Sequence, residues 1–373
     1  MSYLSGLNGL ILYYQYNTVL IDKTSYTRLI EKKAMNIKRK LKACLICFCV
    51  IHAKAGFPQL ASPYETPLTE FGHPDLQGVW TDQTMTPLER PVSLGLKSIY
   101  TLSEINELEG VRQAATEKAR QPLLADRRPP PSGGVITQQS DVNFNGLVTK
   151  FVPVFGEYLT SRIVQPEDGR LPYFEENPQD IFALRGKSGF TRFDGPENRP
   201  ANERCLGVPG QLPLIVQLPL DGPWRNIQII QNKNYVVIYG EYHTSSRIIR
   251  LNGEHSEPSF PKFFGDSIGS WEGDTLVVHT KSFRQDQSNR RLRSSQSLEV
   301  IERYTLVSDH EMVLEFEISD PDILSEKVKS RITLERMPEG QRLYESGCHE
   351  GNYSLPSILA GARRQEIEAS LTR

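Results

Sequence analysis

The sequence lacks the short motifs by which cofactor and nucleotide sites are recognised. It contains no G-x-S-x-G elbow, no phosphate-binding Walker loop, no dinucleotide fingerprint and no HExxH pair. Redox chemistry with a bound cofactor and phosphoryl transfer therefore have no support in the sequence. We expect neither a cofactor nor a dedicated metal site.

An excess of charge of one sign is also missing, because the formal net charge is only -2 over 373 residues. The arginines at 284–293 are interleaved with Gln, Asn and Ser rather than with aromatic residues. This arrangement is typical of a solvated loop, so we expect no nucleic-acid partner. The hydrophobic fraction of 38% indicates a soluble globular protein with a sizeable core.

A secretion signal begins at Met35 rather than at Met1. An apolar run at 43–51 is followed by the A-x-A cleavage site Ala53-Lys-Ala55. The run is too short to span a bilayer, which takes about 20 residues, so a membrane anchor is the weaker alternative. The basic residues that precede the run are Lys38, Arg39, Lys40 and Lys42.

We therefore predict a signal peptide at 35–55 and a periplasmic or secreted protein with no stable membrane insertion after cleavage. Residues 1–34 are interpreted as an upstream extension from a misplaced start, or else as a real additional segment. The mature chain divides into an N-terminal arm and helix at 56–145 and a β-rich core with a C-terminal helix at 146–373.

Few cysteines remain once the signal is removed. Cys44, Cys47 and Cys49 leave with it, and Cys205 and Cys348 stay. An even pair in an oxidising compartment indicates one disulfide. The alternatives are two buried thiols or a cysteine nucleophile.

A helix is predicted from residue 102 to about 119, because Thr101 and Glu104 have the T-x-x-E spacing of a capping box. Short apolar runs bounded by Gly, Pro, Asn and Asp predict a series of strands, and their close spacing favours antiparallel neighbours. Pro356 indicates the start of a final helix whose apolar residues cover the sheet or a barrel mouth. The predicted strands lie near 148–154, 226–232, 234–240, 246–251, 274–280, 298–307, 311–318, 328–336 and 341–346, with shorter ones at 76–80 and before Glu272.

The most informative candidate residue is Glu302. Alternation along 298–306 places it on the apolar face of its strand, together with Tyr304. An ionised carboxylate buried alone would cost several kcal/mol, so it must be paired, hydrogen-bonded or protonated. Two interpretations stay open: an arginine partner from an adjoining strand, or a general acid or base with a raised pKa.

A second group of polar residues crowds around two glycines and Cys348. His349 suits proton transfer near neutral pH and Glu350 can orient it, whereas the competing interpretation is a tight turn whose side chains cap neighbouring elements. Asn352 and Tyr353 lie in the same turn and are candidate pocket residues.

A third group follows the strand that ends near residue 240. Glu241 and His243 share a face if the strand continues, although no further ligand with metal spacing accompanies them. The segment 264–278 predicts a hairpin that turns at Glu272-Gly-Asp274, with Asp266 before it facing a pocket and Trp271 shaping that pocket.

At these blocks the chain resembles a large family of secreted bacterial hypothetical proteins. The matching text includes His73-Pro-Asp-Leu-Gln-Gly-Val-Trp80, Glu203-Arg-Cys205, Gly269-Ser-Trp-Glu-Gly-Asp-Thr-Leu-Val-Val278, Glu302-Arg303 and Cys348-His-Glu-Gly-Asn-Tyr353. The resemblance implies secretion and a shared fold, but it does not indicate any particular reaction. Relatives often carry a histidine one residue further along than His243, which weakens a role for it. The Trp-Glu-Gly-Asp hairpin is also similar to segments of lipocalin-like barrels, which hold small apolar ligands.

These observations predict a mainly β fold, an antiparallel barrel or strongly curved sheet with an N-terminal arm and helix and a C-terminal helix. The predicted function is cofactor-independent acid–base chemistry of the lyase or isomerase type on a small, largely apolar molecule. Glu302 and His349 are the expected proton-transfer residues. The alternative is a non-catalytic periplasmic binder of lipids or other hydrophobic molecules, and the sequence leaves the oligomeric state open.

Overall fold

The computed structural model describes residues 64–122, 148–175, 186, 188–199, 203–206, 226–241, 246–257, 260–284, 293–345 and 347–371. The chain divides into two units, Met1–Ala61 and Ser62–Arg373. The predicted extension at 1–34 and signal peptide at 35–55 lie outside the described residues. All of the described residues belong to the second unit.

The first helix, α1, spans Leu102–Arg120 and confirms the predicted capping box. Thr101 Oγ1 accepts from the Glu104 N–H at 3.4 Å, and Glu104 Oε2 accepts from the Thr101 N–H at 2.9 Å. Hydrogen bonds from Lys97 and Thr101 lower the pKa of Glu104 to about 2. The carboxylate is therefore ionised and stabilises the positive end of the helix dipole.

The described residues form ten strands, and most of the strands in the core lie where the sequence predicted them. They are β1 Gly78–Thr81, β2 Ile163–Gln165, β3 Asn226–Gln231, β4 Tyr235–Gly240, β5 Ser246–Leu251, β6 Asp266–Glu272, β7 Thr275–Lys281, β8 Glu299–Leu306, β9 Glu311–Ser319 and β10 Val328–Arg336. The strand β2 was not predicted.

Two predicted strands, near 148–154 and 341–346, are wrong in the part that the structure describes. In each segment a backbone N–H group donates to a side chain instead of to a neighbouring strand. Glu109 accepts from the Phe151 N–H at 2.7 Å, and Glu241 accepts from the Tyr344 N–H at 2.9 Å.

Nine of these strands close into a barrel, in the order β1-β3-β4-β5-β6-β7-β8-β9-β10, with β1 pairing to β10. The tenth strand, β2, pairs with β10 outside the barrel. Direction reverses at each antiparallel pair, so a closed ring of an odd number of strands must contain a parallel pair. That pair is β5–β6, whereas the other pairings of the barrel are antiparallel, as predicted. Residues 252–265 are long enough for the crossover.

The hydrophobic core consists mainly of inward-facing side chains of the barrel, and the strands alternate as a half-buried sheet should. In β8, Val300, Glu302, Tyr304 and Leu306 are buried, while the intervening side chains are half-buried or exposed. The largest fully buried side chains include Trp80, Tyr304, Phe283, Phe316 and Leu76.

The N-terminal arm, residues 64–77, crosses one end of the barrel. The β3–β4, β6–β7 and β8–β9 turns lie at this end, which we call the hairpin end. The arm contacts the region of each turn: Gln231 accepts from the Leu76 N–H at 2.6 Å and donates to Pro74 O at 3.0 Å, His73 stacks on Trp271 at 5.6 Å, and Tyr64 donates to Asp309. The opposite end, where β5, β6 and β8 begin, is called the far end below.

The C-terminal helix, α2, spans Ser354–Leu371 and confirms the predicted element. Its predicted packing on the sheet is not observed, since none of its described residues is buried. Arg363 instead donates to Phe193 O at 2.8 Å and to Asp194 O at 3.3 Å, so polar contacts with a loop hold the helix. Of its apolar residues, Ile358, Leu359 and Ala362 are half-buried, whereas Ile367 and Leu371 are exposed. Among the described helices, none has the length and apolar character needed to cross a membrane.

Candidate functional site

Glu302 lies inside the barrel, is 0% exposed, and is bound on both carboxylate oxygens. Arg247 Nη1 donates to Oε2 at 2.6 Å and the Tyr304 hydroxyl donates to Oε1 at 2.7 Å. Because both oxygens accept hydrogen bonds, this is the geometry of an ionised carboxylate. The arginine-paired interpretation of Glu302 is therefore the one that the structure supports.

The sequence suggested an arginine from an adjoining strand, but the arginine that binds Glu302 lies on a more distant strand. Arg247 belongs to β5, which is separated from β8 by β6 and β7. Its side chain points inward with Ile249 and Leu251, so it reaches Glu302 across the barrel interior. Burial opposes its charge, but Glu302 and Tyr304 outweigh burial and raise the pKa of Arg247.

Tyr304 completes this interior polar cluster of Arg247, Glu302 and Tyr304. Arg247 Nη2 donates to the Tyr304 hydroxyl at 3.4 Å. Burial and the nearby Glu302 carboxylate raise the pKa of Tyr304 well above its usual value, so the phenol keeps its proton at neutral pH.

Two buried polar atoms near this cluster have no hydrogen-bond partner within the described part of the chain. They are Arg247 Nε and Ser330 Oγ. Ser330 pairs with Phe316, which pairs with Glu302, so the serine lies two strands from the carboxylate on the same row of the interior. A buried donor without an acceptor costs about 1–3 kcal/mol, which makes Arg247 Nε a candidate contact for a bound molecule or water.

The second predicted group lies at the predicted disulfide, which is confirmed. Cys205 and Cys348 are joined, with Sγ atoms 2.03 Å apart across 143 residues of sequence. His349 and Glu350 are exposed, whereas Glu302 is fully buried. The structure therefore does not bring His349 to Glu302, and a joint role in proton transfer stays a prediction.

The other members of this turn have local roles. Asn352 donates to Glu203 O at 2.7 Å and its Oδ1 accepts from the Leu355 N–H at 3.4 Å, which ties the disulfide to the start of α2. Tyr353 is 78% exposed. These contacts agree with the interpretation of the segment as a turn whose side chains cap neighbouring elements.

Glu241 is buried at the end of β4 and holds the C-terminal segment against the barrel. It accepts from Asn226 Nδ2 at 2.8 Å and from the Tyr344 N–H at 2.9 Å. Its predicted companion, His243, lies outside the described residues. Glu241 is thus engaged as a structural acceptor.

Asp266 is the first residue of β6 and so belongs to the hairpin that it was expected to precede. Its carboxylate is 1% exposed and faces away from the interior, toward the crossover 252–265. Hydrogen bonds from Arg250 and then Lys262 outweigh burial and hold its pKa well below the usual range. Its donors are Arg250 (two bonds of 2.9 Å), Lys262 (2.5 Å), the Ser256 N–H (2.9 Å) and hydroxyl (3.1 Å), and His255 Nδ1 at 3.1 Å. This one carboxylate therefore fixes the crossover that the parallel pair requires.

The predicted pocket residue Trp271 lies at the hairpin end, where it stacks on His73 of the arm. It is thus at the opposite end of β6 from Asp266. The predicted candidates divide among the interior, the hairpin end, the crossover and the disulfide turn. Within the described residues, no group of three or more His, Cys, Asp or Glu side chains could hold a metal ion.

Sequence reasoning missed Arg247, His255 and His279. Arg247 carried a usable signal, because it alternates with Ile249 and Leu251 on the apolar face of its strand, as Glu302 does on β8. The two histidines are far apart in sequence and neither lies in a recognisable motif.

No protein-family model and no curated protein matches the chain.

Proposed function

We propose that the protein is a secreted binding protein whose barrel takes up a small, largely apolar molecule that carries an oxygen acceptor. The observation that carries this proposal is the Nε–H of Arg247, a donor that is buried and lacks an acceptor in the described part of the chain. The acceptor on the bound molecule supplies the missing hydrogen bond.

The surroundings of Arg247 support a mostly apolar ligand. Ile249 and Leu251 share its face of β5, and Glu302 already neutralises the guanidinium charge. Small-molecule sites are typically apolar cavities in which a few directed polar groups fix orientation. The ligand is thus better described as a neutral carbonyl or hydroxyl compound than as a strong anion.

The far end is the proposed entrance. Arg247 lies near the start of β5, at that end, while the arm covers the hairpin end through Gln231, Trp271 and Asp309. A molecule that enters at the far end reaches the guanidinium without displacing the arm.

Secretion is part of the proposal and rests on two observations. The sequence contains a signal-peptide pattern at 35–55, and Cys205 is bridged to Cys348, as expected in an oxidising compartment. Protein sequencing of the exported chain tests it. A mature N-terminus at Gly56 supports export by this signal, and an intact Met1 in exported protein contradicts it.

Native mass spectrometry of the protein purified from its host, before and after denaturation, tests ligand binding. We expect a small molecule to be retained by the wild type and by the control Arg303→Met, which alters a partly exposed arginine of β8. We expect the molecule to be lost from Arg247→Met/Glu302→Leu, which removes both buried charges together. Wild-type protein without a bound molecule, or equal retention by the double variant, contradicts the proposal.

Acid–base catalysis on the same molecule is the second candidate, and the contact between Tyr304 and Glu302 favours it. The phenol donates to the carboxylate at 2.7 Å, so a proton-bearing group and a base are adjacent in the interior. Elimination, hydration, isomerisation and cyclisation all need such a pair. With the co-purified molecule as substrate, Glu302→Gln is expected to abolish turnover while binding persists. Turnover that survives in Glu302→Gln excludes this candidate.

A further inference from the structure

The two sulfurs of the bridge between Cys205 and Cys348 lie in different surroundings. Cys205 is 8% exposed, whereas Cys348 is half-buried. A thiolate that opens a disulfide must reach one sulfur and then expels the other, so unequal access decides which of the two cysteines leaves. Access to this bridge therefore favours attack at Cys348 and departure of Cys205.

The more buried sulfur has a hydrogen-bond donor beside it. The side-chain amide of Asn352 carries two N–H protons. Its nitrogen donates to Glu203 O at 2.7 Å and lies 3.5 Å from Cys205 Sγ, where the second proton is donated. A hydrogen bond of this kind becomes stronger when its acceptor is ionised. Asn352 is therefore placed to stabilise the thiolate that forms when Cys205 leaves.

The backbone of Cys205 also favours release. Its φ of 56° lies in the left-handed region, which is uncommon for a residue that has a Cβ. Such a conformation persists where the surrounding structure imposes it, and the bridge is one of the constraints on this residue. Opening the bridge allows Cys205 to return to a more favourable conformation.

The C-terminal helix α2 depends on this bridge for its attachment. None of its described residues is buried, so apolar packing contributes little. Its hydrogen bonds to Phe193 O and Asp194 O come from Arg363, and the bridge lies six residues before its first residue, Ser354. Loss of the cross-link therefore leaves mainly exposed polar contacts to hold α2.

We propose that the bridge is a thiol–disulfide exchange site, attacked by a thiol reductant at Cys348 Sγ, and that its reduction releases α2 from the segment 193–205. This role goes beyond the binding function proposed for the barrel interior. Asn352 acts on the reaction through the leaving sulfur, and α2 is the element whose attachment the reaction changes.

The exchange takes place in two steps. A thiolate of the reductant forms a bond to Cys348 Sγ, the bond between the two cysteine sulfurs breaks, and its electron pair stays on Cys205 Sγ, which then takes a proton from water. A second reductant thiolate attacks the first reductant sulfur and releases Cys348 as a thiolate, which is protonated in turn. Two reductant thiols are thus oxidised to a disulfide, and the bridge gains two electrons and two protons.

Reaction with glutathione followed by peptide mapping tests the direction of attack. The oxidised exported protein is treated with reduced glutathione under native conditions, and free thiols are blocked with iodoacetamide. Trypsin cleaves after Arg204 and Arg342 and so places the two cysteines in separate peptides. We expect glutathione on Cys348 and the alkyl group on Cys205, whereas the same reaction in urea should give both adducts. An equal or reversed distribution in the native protein, or a native bridge that does not react, overturns the proposal.

The rate of the same reaction tests the contribution of Asn352. Asn352→Asp keeps an oxygen acceptor for the Leu355 N–H but has no donor for the departing thiolate. We expect exchange to slow by about tenfold, as for the loss of one hydrogen bond to a charged group. Gln365→Glu adds the same charge at an exposed position of α2 and should react at the wild-type rate. Equal rates in Asn352→Asp and wild type overturn the leaving-group assignment of Cys205.

Hydrogen exchange measures the release of α2. We expect the amides of α2 to exchange faster in the reduced protein than in the oxidised protein, while those of β8 and β9 stay protected. In the control Cys205→Ser/Cys348→Ser, reductant should leave the exchange of α2 unchanged. Exchange of α2 that does not respond to reduction of the wild type, or an equal loss of protection in β8, overturns the proposal.

Discussion

Arg247 and Glu302 lie on strands that are not neighbours in the sheet, yet their side chains meet at 2.6 Å inside the barrel. The contact joins β5 to β8 across the interior and bypasses β6 and β7. It therefore links β5, one member of the parallel pair of the barrel, to a strand that lies two positions beyond the other member, β6.

Breaking this buried pair is expected to destabilise the protein strongly. Arg247→Met leaves an uncompensated carboxylate in the interior, which costs about 3–5 kcal/mol, whereas an apolar replacement of both partners is often neutral. We expect Arg247→Met/Glu302→Leu to recover most of the loss. Urea denaturation of the two variants measures the difference.

The control is the more exposed pair between Arg303 and Glu272, whose arginine and glutamate side chains are 25% and 49% exposed. Arg303→Met is expected to cost less than about 1 kcal/mol, as for other surface pairs. If Arg247→Met costs no more than this control, the interior pair does not stabilise the barrel.

Gly78 is predicted to resist substitution because Arg336 occupies the space beside it. A Cβ at Gly78 would lie 2.3 Å from Arg336 Nη1, and the φ of +142° is unfavourable for other residues. Arg336 is held 4.2 Å over the Trp80 ring and donates to Gln77 O at 2.8 Å. We expect Gly78→Ala to reduce the free energy of unfolding by about 1–3 kcal/mol.

Gly110 of α1 provides the matched control, since a Cβ there meets nothing within 4 Å. Gly110→Ala is expected to stabilise the protein by about 0.5–1 kcal/mol, because alanine loses less entropy in a helix. Thermal unfolding of both variants shows whether the signs are opposite; a neutral Gly78→Ala is the result that contradicts the argument.

Local patterns predicted those elements whose sequence carries its own periodicity. The T-x-x-E spacing at Thr101 located the start of α1, and alternation around Glu302 placed it on the buried face of β8. In both cases the decisive neighbours lie within a few residues, so no tertiary information was needed.

Closure of the barrel and the composition of the candidate site depend on long-range contacts. The strand β2 has only three residues and pairs at a register shift in β10, which leaves too short a run to show a period. Arg247 alternates with apolar residues on its strand, as Glu302 does. Their contact can be predicted, however, only if β5 is known to face β8 across the interior. His255 and His279 meet only because the crossover of the parallel pair folds back over β7, and alternation contains no information about that path.

The disulfide between Cys205 and Cys348 is expected to stabilise the fold substantially. It spans 143 residues of sequence, and the chain-entropy model gives about 4–5 kcal/mol for loops of that order. Urea denaturation of Cys205→Ser/Cys348→Ser, compared with oxidised wild type, measures this contribution. Addition of reductant to the wild type should reproduce the loss, and the double variant should not respond to reductant. A reductant effect of similar size in the double variant would show that the bridge is not its cause.

Stability is expected to fall as the pH drops below about 6.5, the ordinary pKa of histidine. Burial lowers the pKa of His255, its bond to Asp266 raises it in part, and His279 and Lys281 lower it again. The folded-state pKa is thus below the unfolded one, so the unfolded chain binds the proton first. The stabilisation that depends on neutral His255 is complete above pH 6.5 and is lost as the pH falls toward the folded-state pKa.

Urea midpoints between pH 8 and 5.5 should decline less in His255→Gln than in wild type, whereas His310→Gln, at an exposed turn, should follow the wild type. Because the pKa of Asp266 is held far below this window, its titration does not contribute, and parallel curves for His255→Gln and wild type would refute the assignment to His255.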